Sequence, residues 1–182
     1  MAKIIPKDRF LILQASEDIY VNKIKYLGNS RAEVLETKMA IELAKKFDTN
    51  YTLLSEGQLQ ILENYLLKEL EKVNPLKPQE GFEFVYQNAI HFYLRLKNYD
   101  QVLELYKRLQ RLINDYNLEV SMDCLILATI AYIKLNRLDI ARRTYNYIIN
   151  YFEHLSIEQK NTTEILFKEL FKEHDIDIKK VL

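Results

Sequence analysis

Three histidines, His91, His154 and His174, and a single cysteine, Cys124, are the side chains of this 182-residue sequence with the widest chemical repertoire. An imidazole serves as metal ligand or general base when another ligating or orienting group converges on it. None of the three has an Asp, Glu or Cys at a metal-ligand spacing, so each is expected as a surface or helix-end histidine. A thiol turns nucleophilic beside a base that draws off its proton. No neighbouring histidine or carboxylate is set to activate Cys124, which reads as a small buried residue. With three glycines in all there is no phosphate-cradling loop, and neither paired catalytic carboxylates nor a nucleophile elbow appears. The sequence therefore predicts no enzyme, no metal and no cofactor. Asn161-Thr162-Thr163 matches a glycosylation acceptor, which carries meaning only in a secreted chain.

Binding chemistry is better represented. Phe84, Gln87, Asn88, His91, Leu94 and Arg95 fall at helical spacing on one face. Amide side chains both donate to and accept from a peptide backbone, and the apolar members supply anchors. That mixture suits an extended peptide; the alternative is a solvated face with one aromatic. The corresponding face one repeat later is Met122, Ile126, Ile130 and Ile133, on a helix apolar nearly all round. Such a helix is either buried between neighbours or forms an apolar groove or dimer surface that needs a partner.

These faces are set by a repeat. Tyr93 to Val102 aligns with Tyr132 to Ala141 at a constant offset of 39 residues, and Ala89 with Ala128, Tyr106 with Tyr145 and Leu109 with Ile148 extend the match. Self-similarity at such a period marks stacked helix pairs, each burying its apolar face on its neighbours. The two clearest repeats span 82–116 and 121–154. Phe82, Val85, Tyr86, Ala89, Ile90, Tyr93 and Leu96 form the inward stripe of the first leading helix. The pattern resembles a tetratricopeptide repeat, with Ile90 and Lys97 standing where that repeat places glycine. Leading helices of such arrays line the concave side, so Phe84, Gln87, Asn88, His91, Arg95, Ile126 and Ile130 are the candidate peptide-groove residues.

Before the repeats, Pro6 suits the first turn of a helix ending near Leu27, and Ser30 to Glu33 is a capping box for a helix over about 31–47. Ser55 to Gln58 caps a third helix over about 56–73, and Ser156 to Gln159 caps a last one over 156–173. The segment 73–81, with two prolines and a glycine, reads as a loop within one domain. The predicted fold class is all-α, a single domain over 1–182 built as an array of antiparallel helix hairpins.

Composition agrees. Hydrophobic residues make up 48% and charged residues 29%, and the scarcity of glycine and proline disfavours a sheet-rich chain. Lys plus Arg equals Asp plus Glu at 26 each, leaving no net field for a polyanion, so DNA binding by this chain alone is not expected. One cysteine, no signal peptide and no apolar run of membrane-spanning length point to a cytoplasmic chain off the membrane. Thirteen tyrosines without tryptophan fall mostly on inward stripes and read as core, not as base-stacking platforms.

Leu62-Glu63-Asn64-Tyr65-Leu66-Leu67, Phe82 to Asn88, and Asn136 to Ala141 with downstream Tyr145 resemble the C-terminal regulatory domain of Rgg-type transcriptional regulators, the pheromone-sensing (quorum-sensing) family of Gram-positive bacteria. The resemblance implies a right-handed helical-repeat domain that homodimerises and takes a short, mostly apolar peptide on its concave surface. Asn88 stands where that family shows a groove-facing asparagine. The family's helix-turn-helix has no counterpart in the sequence, which implies a sensor part alone or a stand-alone relative binding a peptide or partner protein. The second expectation is a structural scaffold or dimerisation module without a small ligand.

Overall fold

Short-range chemistry decides where the helices begin and end. The computed structural model describes residues 31–78, 82–119 and 122–181, less the side chains of 31–34, 162, 163 and 166. Expectations on Pro6, on the helix ending near Leu27 and on the Ser30 cap lie outside the described residues. The described elements are all helical: α1 (Arg31–Thr49), a 3-10 turn (Tyr51–Leu53), α2 (Glu56–Glu71), α3 (Phe82–Arg95), α4 (Tyr99–Asp115), α5 (Met122–Lys134), α6 (Leu138–Phe152), α7 (Ile157–Glu173) and α8 (Ile178–Val181). At α2 and α7 the serine hydroxyl accepts from the third amide and the glutamine there returns a bond to the serine amide, so Ser55 and Ser156 both complete capping boxes.

Helix ends are set by residues with left-handed backbones. Asn117, Asn136 and Asp175 take φ of 50, 58 and 55°. Each lets the next amide reach back five residues: Leu118 to the Ile113 carbonyl, Arg137 to Tyr132 and Ile176 to Phe171. This is the helix-terminating pattern that satisfies orphan carbonyls. Lys97 shares the conformation at φ 60°, and it aligns with Asn136 at the 39-residue offset. The following residues match as well, Asn98 at φ −89°, ψ 74° and Arg137 at φ −92°, ψ 64°. The two copies thus use one turn, and where a glycine is usual the chain places lysine and asparagine. Valine at either position is expected to lose about 1–2 kcal/mol in urea unfolding while glycine holds or gains stability, because a branched side chain clashes in the left-handed region. Equal stability of the Val and Gly variants at both positions would contradict this turn.

By its contacts the chain divides into two compact units, with the division between Leu96 and Lys97. It falls inside the first repeat as the sequence sets it, so α3 and α4 belong to different units. In the unit ending at Leu96, α1 packs on α2 and on the 3-10 turn, and α2 packs on α3. The core includes Ile41, Phe47, Leu62, Ile90 and Phe92, all fully buried. Thr37 and Tyr65 join α1 to α2 through their hydroxyls at 3.3 Å, and the Tyr93 hydroxyl donates to Glu63 Oε1 at 2.8 Å.

In the unit from Lys97, α5 packs on both α4 and α6. Burial follows, with every α5 residue from Met122 to Ile133 inaccessible or nearly so. Thr129 fits this apolar setting by donating to the Leu125 carbonyl at 2.8 Å, with the Thr144 hydroxyl of α6 at 2.9 Å from its own. Helix α7 is held by rings: Phe167 meets Tyr145 and Phe152 of α6 with centroids 5.7 and 6.1 Å apart. The tail after His174 forms the short helix α8.

Candidate functional site

Helix α3 carries the densest set of candidate residues, and its surroundings fix what they do. From Tyr86 to Leu94 every side chain is buried. Gln87, Asn88 and His91 are 2, 3 and 2% exposed, while Phe84 and Arg95 are half-buried. The polar stripe expected on an open concave face is therefore enclosed in this structure. The reason is that helical spacing identifies a face and leaves open whether a neighbour covers it. Asn88→Ala then carries the cost of a disturbed buried polar group, about 1–3 kcal/mol, and not the small change of a solvent-facing residue.

Burial sets the protonation of His91. Removal from water, and secondarily the Arg95 charge one turn along, lower its pKa to about 3, so the ring is neutral near pH 7. Arg95 itself ties α3 to α1. Its Nη1 donates to the carbonyls of Phe47 and Asp48 at 2.8 and 2.7 Å, and its guanidinium carbon lies 5.9 Å from the centroid of the Phe47 ring. Those carbonyls belong to the last turn of α1, where orphan acceptors and the negative end of the helix dipole favour a cation. Tyr93, on the inward stripe, has its hydroxyl pKa raised by burial and by the Glu63 carboxylate.

Ile126 and Ile130 are 1 and 0% exposed, and Met122 and Ile133 are buried with them. They pack as the core of the unit that begins at Lys97, apart in the contact division from the α3 residues with which the sequence groups them. Cys124 is a free, fully buried thiol on the same helix.

One pairing was not visible in the sequence. His174, at the C-terminal cap of α7, is 3% exposed, and its Nδ1 lies 2.9 Å from the Tyr99 hydroxyl at the start of α4. The rings meet edge to face with centroids 5.8 Å apart. Burial raises the Tyr99 pKa, with Asp175 and Glu173 adding to it. His154 lies exposed just beyond α6. Among the described residues no group of three His, Cys, Asp or Glu side chains is arranged to hold a metal ion, and no helix is long and apolar enough to cross a membrane.

What these features define is an all-helical protein of helix-on-helix packing, with a buried polar stripe on one helix and an apolar helix enclosed in the other unit. No family model matches the chain, and no curated protein and no solved structure matches it.

Proposed function

We propose that the chain is a non-enzymatic interaction domain that recognises a short apolar peptide, or an equivalent segment of a partner protein, through the stripe of α3 bearing Phe84, Gln87, Asn88 and His91. The observation that carries this reading is the concentration of three polar side chains, each nearly inaccessible, on one helix of otherwise apolar character. Two amides beside a neutral imidazole form the donor and acceptor set that a peptide backbone matches. With these side chains enclosed, a peptide reaches them only after the covering residues give way, so its affinity is reduced by the fraction of molecules open at that moment.

The reading accords with the resemblance to the regulatory domain of Rgg-type regulators and with a role as the cytoplasmic peptide sensor of such a regulator, acting as a homodimer and leaving DNA to another module. Arg95 serves in it as the tie between α3 and α1, and Ile126 and Ile130 as core. The test is calorimetric titration of the chain with a panel of short apolar peptides. Saturable binding is expected, weakened about tenfold by Asn88→Ala in protein shown to be folded by circular dichroism, a factor matching one hydrogen bond of about 1.4 kcal/mol. A flat response across the panel rejects the proposal. The burial of Gln87, Asn88 and His91 favours a second reading, a scaffold or dimerisation module without a small ligand; a sedimentation experiment that finds a dimer indifferent to every peptide would support it.

A further inference from the structure

Helices α7 and α8 border an open cleft of about 690 Å³ that the peptide reading does not use. Its floor is apolar: Phe171 is 5% exposed, and Ile178 of α8 is half-buried. Lys168 and Lys172, one turn apart on α7, and Lys179 of α8 stand along it. A second hollow of about 320 Å³ shares Ile178 and Lys179 and continues the cleft to Arg142, Tyr145 and Asn146 of α6. Two acidic residues also border the cleft, Asp175 and Asp177. Asp177 Oδ1 accepts from the Lys179 amide at 3.1 Å and so starts α8. Arg142 lies 3.7 Å from the exposed Asp139, a separation and setting that hold a cation only weakly.

We infer that this cleft is a docking site for an acidic segment of a partner protein, an extended stretch with an aliphatic or aromatic residue flanked by Asp or Glu. The four cations, on three helices, outnumber the two carboxylates, and the apolar floor gives a neighbouring side chain a place to bury. A free small anion leaves that floor unused. A nucleic acid calls for a broad positive field, which a chain with 26 basic and 26 acidic residues does not provide. Complementary charge raises the encounter rate and selects against basic sequences, while the buried anchor supplies most of the affinity.

The site lies on helices apart from α3, so its test is independent of the apolar-peptide proposal. Fluorescence anisotropy of a labelled peptide with a Leu-Phe pair between glutamates would be followed in dilute salt, beside the same peptide with lysines. Binding of the acidic peptide alone is expected, weakened at least tenfold by the exposed double change Lys168→Glu and Lys172→Glu, and weakened as salt is raised. Ile178→Ala should weaken it with little change in salt dependence, a readout that separates the apolar anchor from charge alone. Equal binding of the basic peptide, indifference to charge reversal, or displacement by equimolar inorganic phosphate would each overturn the inference, the last by showing a small-anion site.

Discussion

Replacing Phe92 by alanine is expected to lower the unfolding free energy by about 3–5 kcal/mol, the range for truncating a fully buried ring. Phe92 has no exposed surface, and its ring stacks on Phe47 with centroids 5.1 Å apart and planes 24° from parallel. The Tyr93 ring meets it edge to face, with centroids 5.3 Å apart. Neither neighbour is free to fill the space. Tyr93 is held by its bond to Glu63, and the carbonyls of Phe47 and Asp48 are held by Arg95, so the backbone at the end of α1 is anchored to the helix that bears the vacancy. A cavity that cannot collapse places the cost in the upper part of the range. Guanidinium unfolding of the variant beside Leu35→Ala, whose site is 58% exposed, supplies the comparison. The second change should fall within about 0.5 kcal/mol of zero. A loss below about 1.5 kcal/mol for Phe92→Ala would mean that the ring stack does not hold α3 on α1.

The features legible in the sequence are those decided within a few residues. Ser55 and Ser156 cap their helices because serine and glutamine three apart can satisfy two amides by themselves. The turns aligned at the 39-residue offset share a conformation, since Lys97 and Asn136 take nearly the same φ and Asn98 and Arg137 nearly the same φ and ψ. Most of the inward stripe of α3 is buried as its spacing requires, with Val85 and Leu96 half-buried, and Ala89 and Ala128 are both fully inaccessible. What escaped the sequence depends on pairing between distant segments. Periodicity separates the Gln87, Asn88, His91 face of α3 from the Tyr86, Ala89, Ile90, Tyr93 face, and the structure then encloses both. A polar face usually signals solvent, so the local signal pointed the wrong way; the hint against it was that Phe84 and Leu94 share that face. Arg95 resembles a ligand-binding cation until the end of α1 is placed beside it, and that end lies 48 residues back at Phe47. His174 and Tyr99 are 75 residues apart, and neither is marked by any motif.

Acidification tests the enclosure of α3 more directly than any truncation. In the folded chain the His91 pKa is lowered to about 3, first by burial and then by Arg95, whereas an unfolded chain returns it to about 6.5. Between those values the unfolded state binds the extra proton, so stability rises with pH across this window. The contribution of neutral, buried His91 is fully present above about pH 6.5 and drains away as pH falls toward 3. At pH 4 the loss amounts to about 3 kcal/mol, at roughly 1.4 kcal/mol per unit of separation between the two pKa values. His91→Gln keeps a polar side chain of similar reach and removes the titration. Urea unfolding of both proteins at pH 7, 5.5 and 4 isolates the effect, because every other titrating group appears in both. Whatever the glutamine costs at pH 7, the stability of the parent should approach or fall below that of the variant by pH 4. If the difference between them stays constant across the series, His91 reaches water in the folded chain, and the α3 stripe is an open face after all.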